Sequence, residues 1–312
     1  MSTIAVIGEA VADAILQPPA TTSGELTLRV LPGGGPVNTA VALGRLGTPT
    51  QFLGRLAGGQ LGLLLRGHLA ESGVDLSASV VANQPPTLAI TAVGPDGQAA
   101  YDFYLSGTAD WYWTDGELAA WQPGDVVAIH AASLALTQPP GATLIEGVLA
   151  RMRPHTTVSI DPNVRTSIVA PQFYRQAIWR WARLAHILRL SQDDLDVMLP
   201  GLPPDEASAR LHDAGTALVV ITRGRDGAYA SLQGQPVSVP AHDVDLVDTV
   251  GAGDTFTAGL LHRLHALGAL ARPITALTIN DLTDAMRFAS TAAAITCQRH
   301  GADPPWAHEF AR

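Results

Sequence analysis

Short valine- and isoleucine-rich runs alternate with amphipathic helical patterns along most of the 312 residues. That alternation restricts the fold more than any other feature. The runs TIAVIG (3–8), QFLG (51–54), VVAIHA (126–131), VSID (158–161), ILRL (187–190) and VVIT (219–222) are mostly apolar without a regular polar alternation, so each predicts a strand covered on both faces. Helices are predicted between and after them, over 36–46, 60–70, 141–152, 171–184, 204–214, 255–267 and near 284–298. Repetition of strand and helix in this order gives an α/β fold, a central and mostly parallel sheet with helices on both faces.

Two stretches depart from the alternation. Residues 13–31 alternate loosely and carry Thr, Ser and Pro. Residues 87–105 read as a hairpin around Pro95-Asp96-Gly97, where Pro suits the first turn position and Gly tolerates a positive φ. A small β-sheet beside the main body is expected from them. There is no 20–50-residue repeat, low-complexity tract or evident linker, so the expectation is one domain over 1–312 with a lid made of the discontinuous segments 13–31 and 87–105.

Composition removes several function classes. All 19 basic residues are arginine, so a Walker A loop, a protein-kinase strand lysine and a Schiff-base enzyme are excluded for want of an amine. A net charge of −9 argues against a nucleic-acid partner, which needs clustered cations. No apolar run is long enough to span a bilayer, and MSTIAVIGEA lacks the basic start of a signal peptide; no membrane partner and a cytoplasmic location are expected. The single Cys297 sits in an apolar helical pattern and reads as packing, consistent with a reducing compartment.

The segment most able to carry chemistry is Asp248-Thr-Val-Gly-Ala-Gly-Asp254-Thr-Phe, which opens a helical pattern. Glycines at 251 and 253 let unpaired N–H groups of Gly251, Ala252 and Gly253 point outward at the positive end of the helix dipole, forming an anion cradle without a cationic side chain. Asp254 at its rim is placed to accept a proton from an alcohol. Taken alone, the same letters also describe a capped helix start.

The whole string resembles the C-terminal signature of the ribokinase/PfkB family of carbohydrate kinases, and further segments match in the family's order. Gly8-Glu9 and Asp13 are similar to the first strand and its sugar-binding aspartate, and Gly33-Gly34-Gly35-Pro36-Val37-Asn38 to the sugar loop. Asp161-Pro162-Asn163-Val164-Arg165 resembles a block of fructokinases and 2-keto-3-deoxygluconate kinases. Thr222-Arg223-Gly224-Arg225-Asp226-Gly227 resembles the nucleotide loop, and Phe288-Ala289 with Gly301 to Pro305 the wall of the adenine pocket.

The resemblance implies a ribokinase-like fold and transfer of the ATP γ-phosphate to a primary sugar hydroxyl. Asp254 is then the general base and Gly251, Ala252 and Gly253 the anion hole. Asp13, Gly33, Gly34 and Asn38 would contact the sugar, with Phe103 closing from the lid and Arg165 reaching a phosphate or a substrate carboxylate. Thr222, Arg223, Gly224, Gly227 and Ala289 would contact the nucleotide. From the residues alone, Asp13 serves equally as a turn cap and Asn38 as a first-turn residue, and both readings stay open. The family's Mg²⁺-ordering Asn-x-x-Glu is replaced by Ser191-Gln192-Asp193-Asp194, which leaves Asp194 as the metal candidate with Asp193 its rival and a solvated helix start as the plain alternative. A monovalent cation such as K⁺ near Asp248 and a homodimer through the lid are further implications.

A dinucleotide oxidoreductase is the weakest competing function. Its fingerprint would need a third glycine where Asn38 stands and an acidic residue near 51–55. A catalytically silent sugar-binding homologue is a stronger rival because of the altered Mg²⁺ motif, yet a sensor has no chemical need for Asp254. Fructose is the expected substrate, with 2-keto-3-deoxygluconate and nucleosides as alternatives. His262 and His265 are three apart on a helix but lack a third ligand, so a surface pair is expected.

Overall fold

A computed structural model describes residues 2–17, 25–93 and 99–311. The chain opens with β1 (Thr3–Ile7), turns out into β2 (Val11–Leu16) and β3 (Leu28–Gly33), and returns through α1 (Gly35–Arg45) to β4 (Thr50–Leu53). Next come β5 (Arg55–Ala57), α2 (Gln60–Glu71), β6 (Val74–Asp75), β7 (Val80–Ala82), β8 (Thr87–Val93), β9 (Ala99–Tyr104) and α3 (Asp115–Ala120). Regular alternation follows in β10 (Val126–Ala132), α4 (Gly141–Met152), β11 (Thr157–Asp161), α5 (Pro171–Leu184), β12 (Ile187–Ser191), α6 (Gln192–Met198), α7 (Pro204–Ala214) and β13 (Leu218–Thr222). The chain closes with β14 (Ala228–Leu232), β15 (Gln235–Val239), α8 (Ala252–Ala266) and α9 (Ile279–Cys297).

The central sheet runs β15-β14-β13-β12-β11-β10-β1-β4-β6, parallel from β13 to β6. Each buried strand splits its residues between two cores, as strand geometry requires. Ile4 and Val6 pack with α1, α2, α8 and α9, whereas Ala5 and Ile7 pack with α4 to α7. The predicted two-faced α/β sheet is therefore observed.

Several details were not predicted. The sheet ends in an antiparallel hairpin, β14–β15, whose two-residue turn Gln233-Gly234 has φ of 50° and 86°, the left-handed pair that a tight hairpin requires. Helices α3 and α6 and the short strands β5, β6 and β7 also went unpredicted. The helix expected to start at 255 starts at Ala252, and the last one spans Ile279–Cys297.

The small sheet has the order β3-β2-β8-β9, with β2 and β8 parallel and both outer pairs antiparallel. It is built from the two departures identified in the sequence. The predicted turn Pro95-Asp96-Gly97 and residues 18–24 lie outside the described residues. Strand β2 leaves the C-terminal end of β1 and β3 leads directly into α1, so the small sheet stands over the end of the central sheet where ligands of open α/β folds bind. Asp110, fully buried, joins its two excursions by accepting N–H bonds from Ala10 and Thr87 at 2.8 and 3.1 Å. Among the described residues no helix is long and apolar enough to cross a membrane.

Candidate active site

The first turn of α8 is the centre of the site. Gly251 is its N-cap with φ 75°, a left-handed conformation that glycine adopts without cost. The Ala252 N–H donates to Thr249 O at 3.2 Å within that turn. This corrects one expectation: Ala252 helps line the cavity, but its amide is already shared. Among the described residues, the N–H groups of Gly251, Gly253 and Asp254 donate to no other group, and they form the open end of the helix.

Asp254 is 8% exposed. Its Oδ2 accepts from Asn38 Nδ2 at 2.8 Å, and Oδ1 faces Gly35, where a Cβ would stand only 3.4 Å away. Burial pushes its carboxyl above the usual range, opposed by the Asn38 hydrogen bond and by the charges of Arg165 and Arg189. The result is a carboxylate held in one orientation by a neutral donor, aimed at the Gly33–Gly35 loop.

That loop and its neighbours gather the other predicted sugar residues. Gly34 has φ 101° and caps α1; a Cβ there would meet Glu9 O at 2.9 Å. A Cβ on Gly33 would fall on Asp13 Oδ2, so Asp13 lies across the loop. Burial pushes the Asp13 carboxyl up to about 6, with Arg165 pulling it down. Arg165 is exposed, and its Nη1 donates to Val164 O at 3.1 Å. Its charge acts on both Asp13 and Asp254, lowering each carboxyl. Phe103 is half-buried on β9 and, with Asp102, Tyr104, Ser167 and Ile168, lines a separate cavity of about 560 Å³ at the edge of the small sheet.

On the other side of the α8 turn lies a cavity of about 820 Å³, lined by Asp194, Thr222, Gly224, Gly227, Ala252, Gly253 and one side of α9. Here two expectations need correcting. Ala289 is fully buried in the contact between α8 and α9, where its Cα would lie 2.9 Å from a Cβ on Gly259. Ser290, Ala293, Ala294 and Cys297 line the cavity in its place, because one residue along a helix turns the side chain by about 100°. Arg223 does not line the cavity and its Nε is buried with no hydrogen-bond partner among the described residues, whereas Arg225 does line it.

Asp194 lines the cavity but is engaged. Its Oδ1 accepts from Val164 N and its Oδ2 from Ser191 N, both at 2.8 Å, while Ser191 Oγ accepts from Asp194 N at 3.0 Å. Ser191 and Asp194 thus form a capping box for α6. Among the described residues no three acidic, histidine or cysteine side chains gather into a metal site. Asp248 uses one oxygen on Val250 N and the other on Gly301 N, tying its loop to the C-terminal segment. His262 bonds Thr48 and His265 bonds Ser2, so both act in packing.

Sequence reading missed Arg189, read only as one letter of the strand ILRL. It is buried, lines the large cavity, and is ion-paired to Asp161 at 3.0 Å. Asn163 was quoted in a motif but given no role; its Nδ2 stands 3.0 Å from a Cβ built on Gly35, beside Asp254.

The sequence matches the model of the pfkB family of carbohydrate kinases over residues 1–309. The chain belongs to that family. It is 38% identical over 260 residues to a fructokinase of Rhizobium leguminosarum bv. trifolii, an alignment covering 82% of this chain and 78% of the relative. Among solved structures, a double-mutant fructokinase of Vibrio cholerae O395 with fructose, ADP and potassium bound superposes with a TM-score of 0.85 at 26% identity, covering 100% of this chain and 98% of the other. The ATP-bound fructokinase of Xylella fastidiosa gives 0.86 at 26% identity over 96% and 93%. The pfkB kinase reading taken from the motifs is thus borne out along nearly the whole chain.

Proposed function

We propose that this pfkB-family carbohydrate kinase transfers the γ-phosphoryl group of ATP to a primary hydroxyl of fructose. The observation that carries the reading is the division of labour at one helix turn. The Asp254 carboxylate faces Asn38 and the glycine loop, while Gly253 beside it faces the large cavity. A nucleotide in that cavity would direct its terminal phosphate at the free N–H groups, and a sugar under the small sheet, which acts as a lid, would present a hydroxyl to Asp254.

In this scheme Asp254 takes the hydroxyl proton as the oxygen attacks phosphorus in line, and the N–H groups of α8 stabilise the charge on the transferred group. Asp13 and Asn38 fix the sugar, because a carboxylate and an amide between them match the donors and acceptors of a diol. Arg165 balances negative charge in the cleft. Closure of the small sheet would exclude water as a competing acceptor.

Magnesium fits the donors present. Asp193 and Asp194 offer only oxygen to the cavity, and each Asp194 oxygen already accepts one N–H. They would therefore hold the ion through its water shell. When bound, Mg²⁺ neutralises phosphate charge.

Fructose is supported by the Asp161–Arg165 block and by the fructokinases among the relatives. The test is ADP release with ATP, Mg²⁺ and a panel of fructose, 2-keto-3-deoxygluconate, ribose and nucleosides. Fructose is expected to give the highest kcat/KM; release with none of them would favour a silent sugar-binding protein. A pH prediction follows from Asp13. With its carboxyl near 6, it is ionised and a full acceptor at pH 8 but largely protonated at pH 5. The KM for the sugar is expected to rise as pH falls through 6, by up to about tenfold per pH unit. D13N should show a raised KM that is flat over the same range. A flat wild-type profile would remove Asp13 from sugar binding.

A further inference from the structure

Arg189 is a buried cation whose surroundings point at the anion hole. Its Nη1 donates to Asp161 Oδ2 at 3.0 Å and its Nη2 to Thr222 Oγ1 at 2.5 Å. Thr257 of α8 donates to the same Asp161 oxygen at 3.2 Å. The side chain is 6% exposed, and the Nε is buried with no hydrogen-bond partner among the described residues. What surface remains opens on the nucleotide cavity.

Above the guanidinium sits Gly253. A Cβ there would lie 2.9 Å from Nη2, 3.0 Å from Nη1 and 3.3 Å from Cζ, so the Nη edge of the guanidinium abuts that residue. Gly253 lies inside α8 without a positive φ, where alanine would be the better helix former by about 1 kcal/mol. Room for Arg189, rather than backbone freedom, is what the second glycine of the signature supplies. Around this one cation stand Asp161, Asp194 and Asp254. In a chain without lysine, this buried guanidinium sets a permanent positive charge against Gly253, one of the residues with a free amide.

We propose that Arg189 is a positioning residue for phosphoryl transfer. Clamped between Asp161 and Thr222 with its Nη edge against Gly253, it holds the first turn of α8 against the nucleotide loop and sets positive charge behind the amides that receive the transferred group. The proposal rests on the phosphotransfer reading but not on fructose as acceptor.

The test compares wild type, R189Q and D161N/R189Q. The double variant removes both buried charges, so it keeps its fold even where R189Q, with an uncompensated Asp161, melts early. Calorimetry with ADP and Mg²⁺, with and without aluminium fluoride as a planar phosphoryl mimic, reads the effect without turnover. Both variants are expected to bind ADP within about threefold of wild type and to bind ADP–aluminium fluoride about 10²-fold more weakly. With whichever sugar the wild type phosphorylates, the loss should fall on kcat and leave KM for ATP nearly unchanged. Wild-type affinity of the double variant for ADP–aluminium fluoride, or an equal loss for ADP alone, would overturn the proposal. A wild type that turns over no sugar would count against the function proposed above while the calorimetric comparison still decides this one.

Discussion

D254N is expected to lower kcat by roughly 10² to 10⁴, the contribution of a positioned general base. An amide of the same shape still accepts from Asn38 Nδ2 through its oxygen, so the loop geometry survives and the sugar KM should stay within about threefold of wild type. The fold should be no less stable, because the variant removes a buried carboxyl whose pKa burial pushes up. Steady-state kinetics with thermal melts checks all three points together. The pattern matters more than any single number: a loss confined to kcat in a protein that melts normally is the signature of missing chemistry. An unreduced kcat would take Asp254 out of the reaction.

G251A is expected to have the next largest effect, for a different reason. The residue has φ 75°, and a Cβ would stand 2.6 Å from Ala302 Cβ and 2.9 Å from its Cα. A left-handed alanine costs about 1–2 kcal/mol, and Ala302 belongs to backbone that Gly301 N–H anchors to Asp248. The turn must therefore move, carrying the free N–H groups of Gly253 and Asp254 with it. A loss of about 10²–10³ in kcat/KM for ATP is expected, as for removal of an anion-hole donor. G201A is the control. Gly201 too has a positive φ, 78°, but a Cβ there meets nothing within 4 Å, and it does not line the large cavity. It should cost stability of the same order while leaving kcat/KM for ATP within about tenfold of wild type. Equal losses in the two variants would mean that general strain, and not the position of the amides, explains the first.

What was legible in the sequence, and what was not, has physical reasons. The two-faced sheet could be read because mostly apolar runs leave no regular polar face, and Ile4/Val6 against Ala5/Ile7 bear this out. The α8 turn could be read because Gly-Ala-Gly-Asp is a local motif whose backbone needs are written in its letters. The edge hairpin was missed because its turn is Gln-Gly rather than Asn-Gly, and Gln233 at φ 50° is an uncommon choice. Ala289 was misplaced by one helix position, a distance that motif matching does not resolve but side-chain direction does. Asp194 was read as a metal candidate with a solvated helix start as the alternative; its capping box with Ser191 is local and could have been seen in Ser-x-x-Asp. Arg189 was illegible for a deeper reason. Its role depends on Asp161, Thr222 and Gly253, which lie far along the chain, so no local pattern separates it from an ordinary strand residue.

The central claim is that the N-terminus of α8 receives the transferred phosphate on one side and presents Asp254 to the sugar on the other. The most direct measurement is a crystal structure of the protein with ADP and fructose bound. The account expects the terminal phosphate of ADP to point at the N–H groups of Gly253 and Asp254. It also expects the primary hydroxyl within about 2.6–3.2 Å of an Asp254 oxygen. Phosphates lying away from that turn, or a sugar bound with Asp254 turned from it, would contradict it.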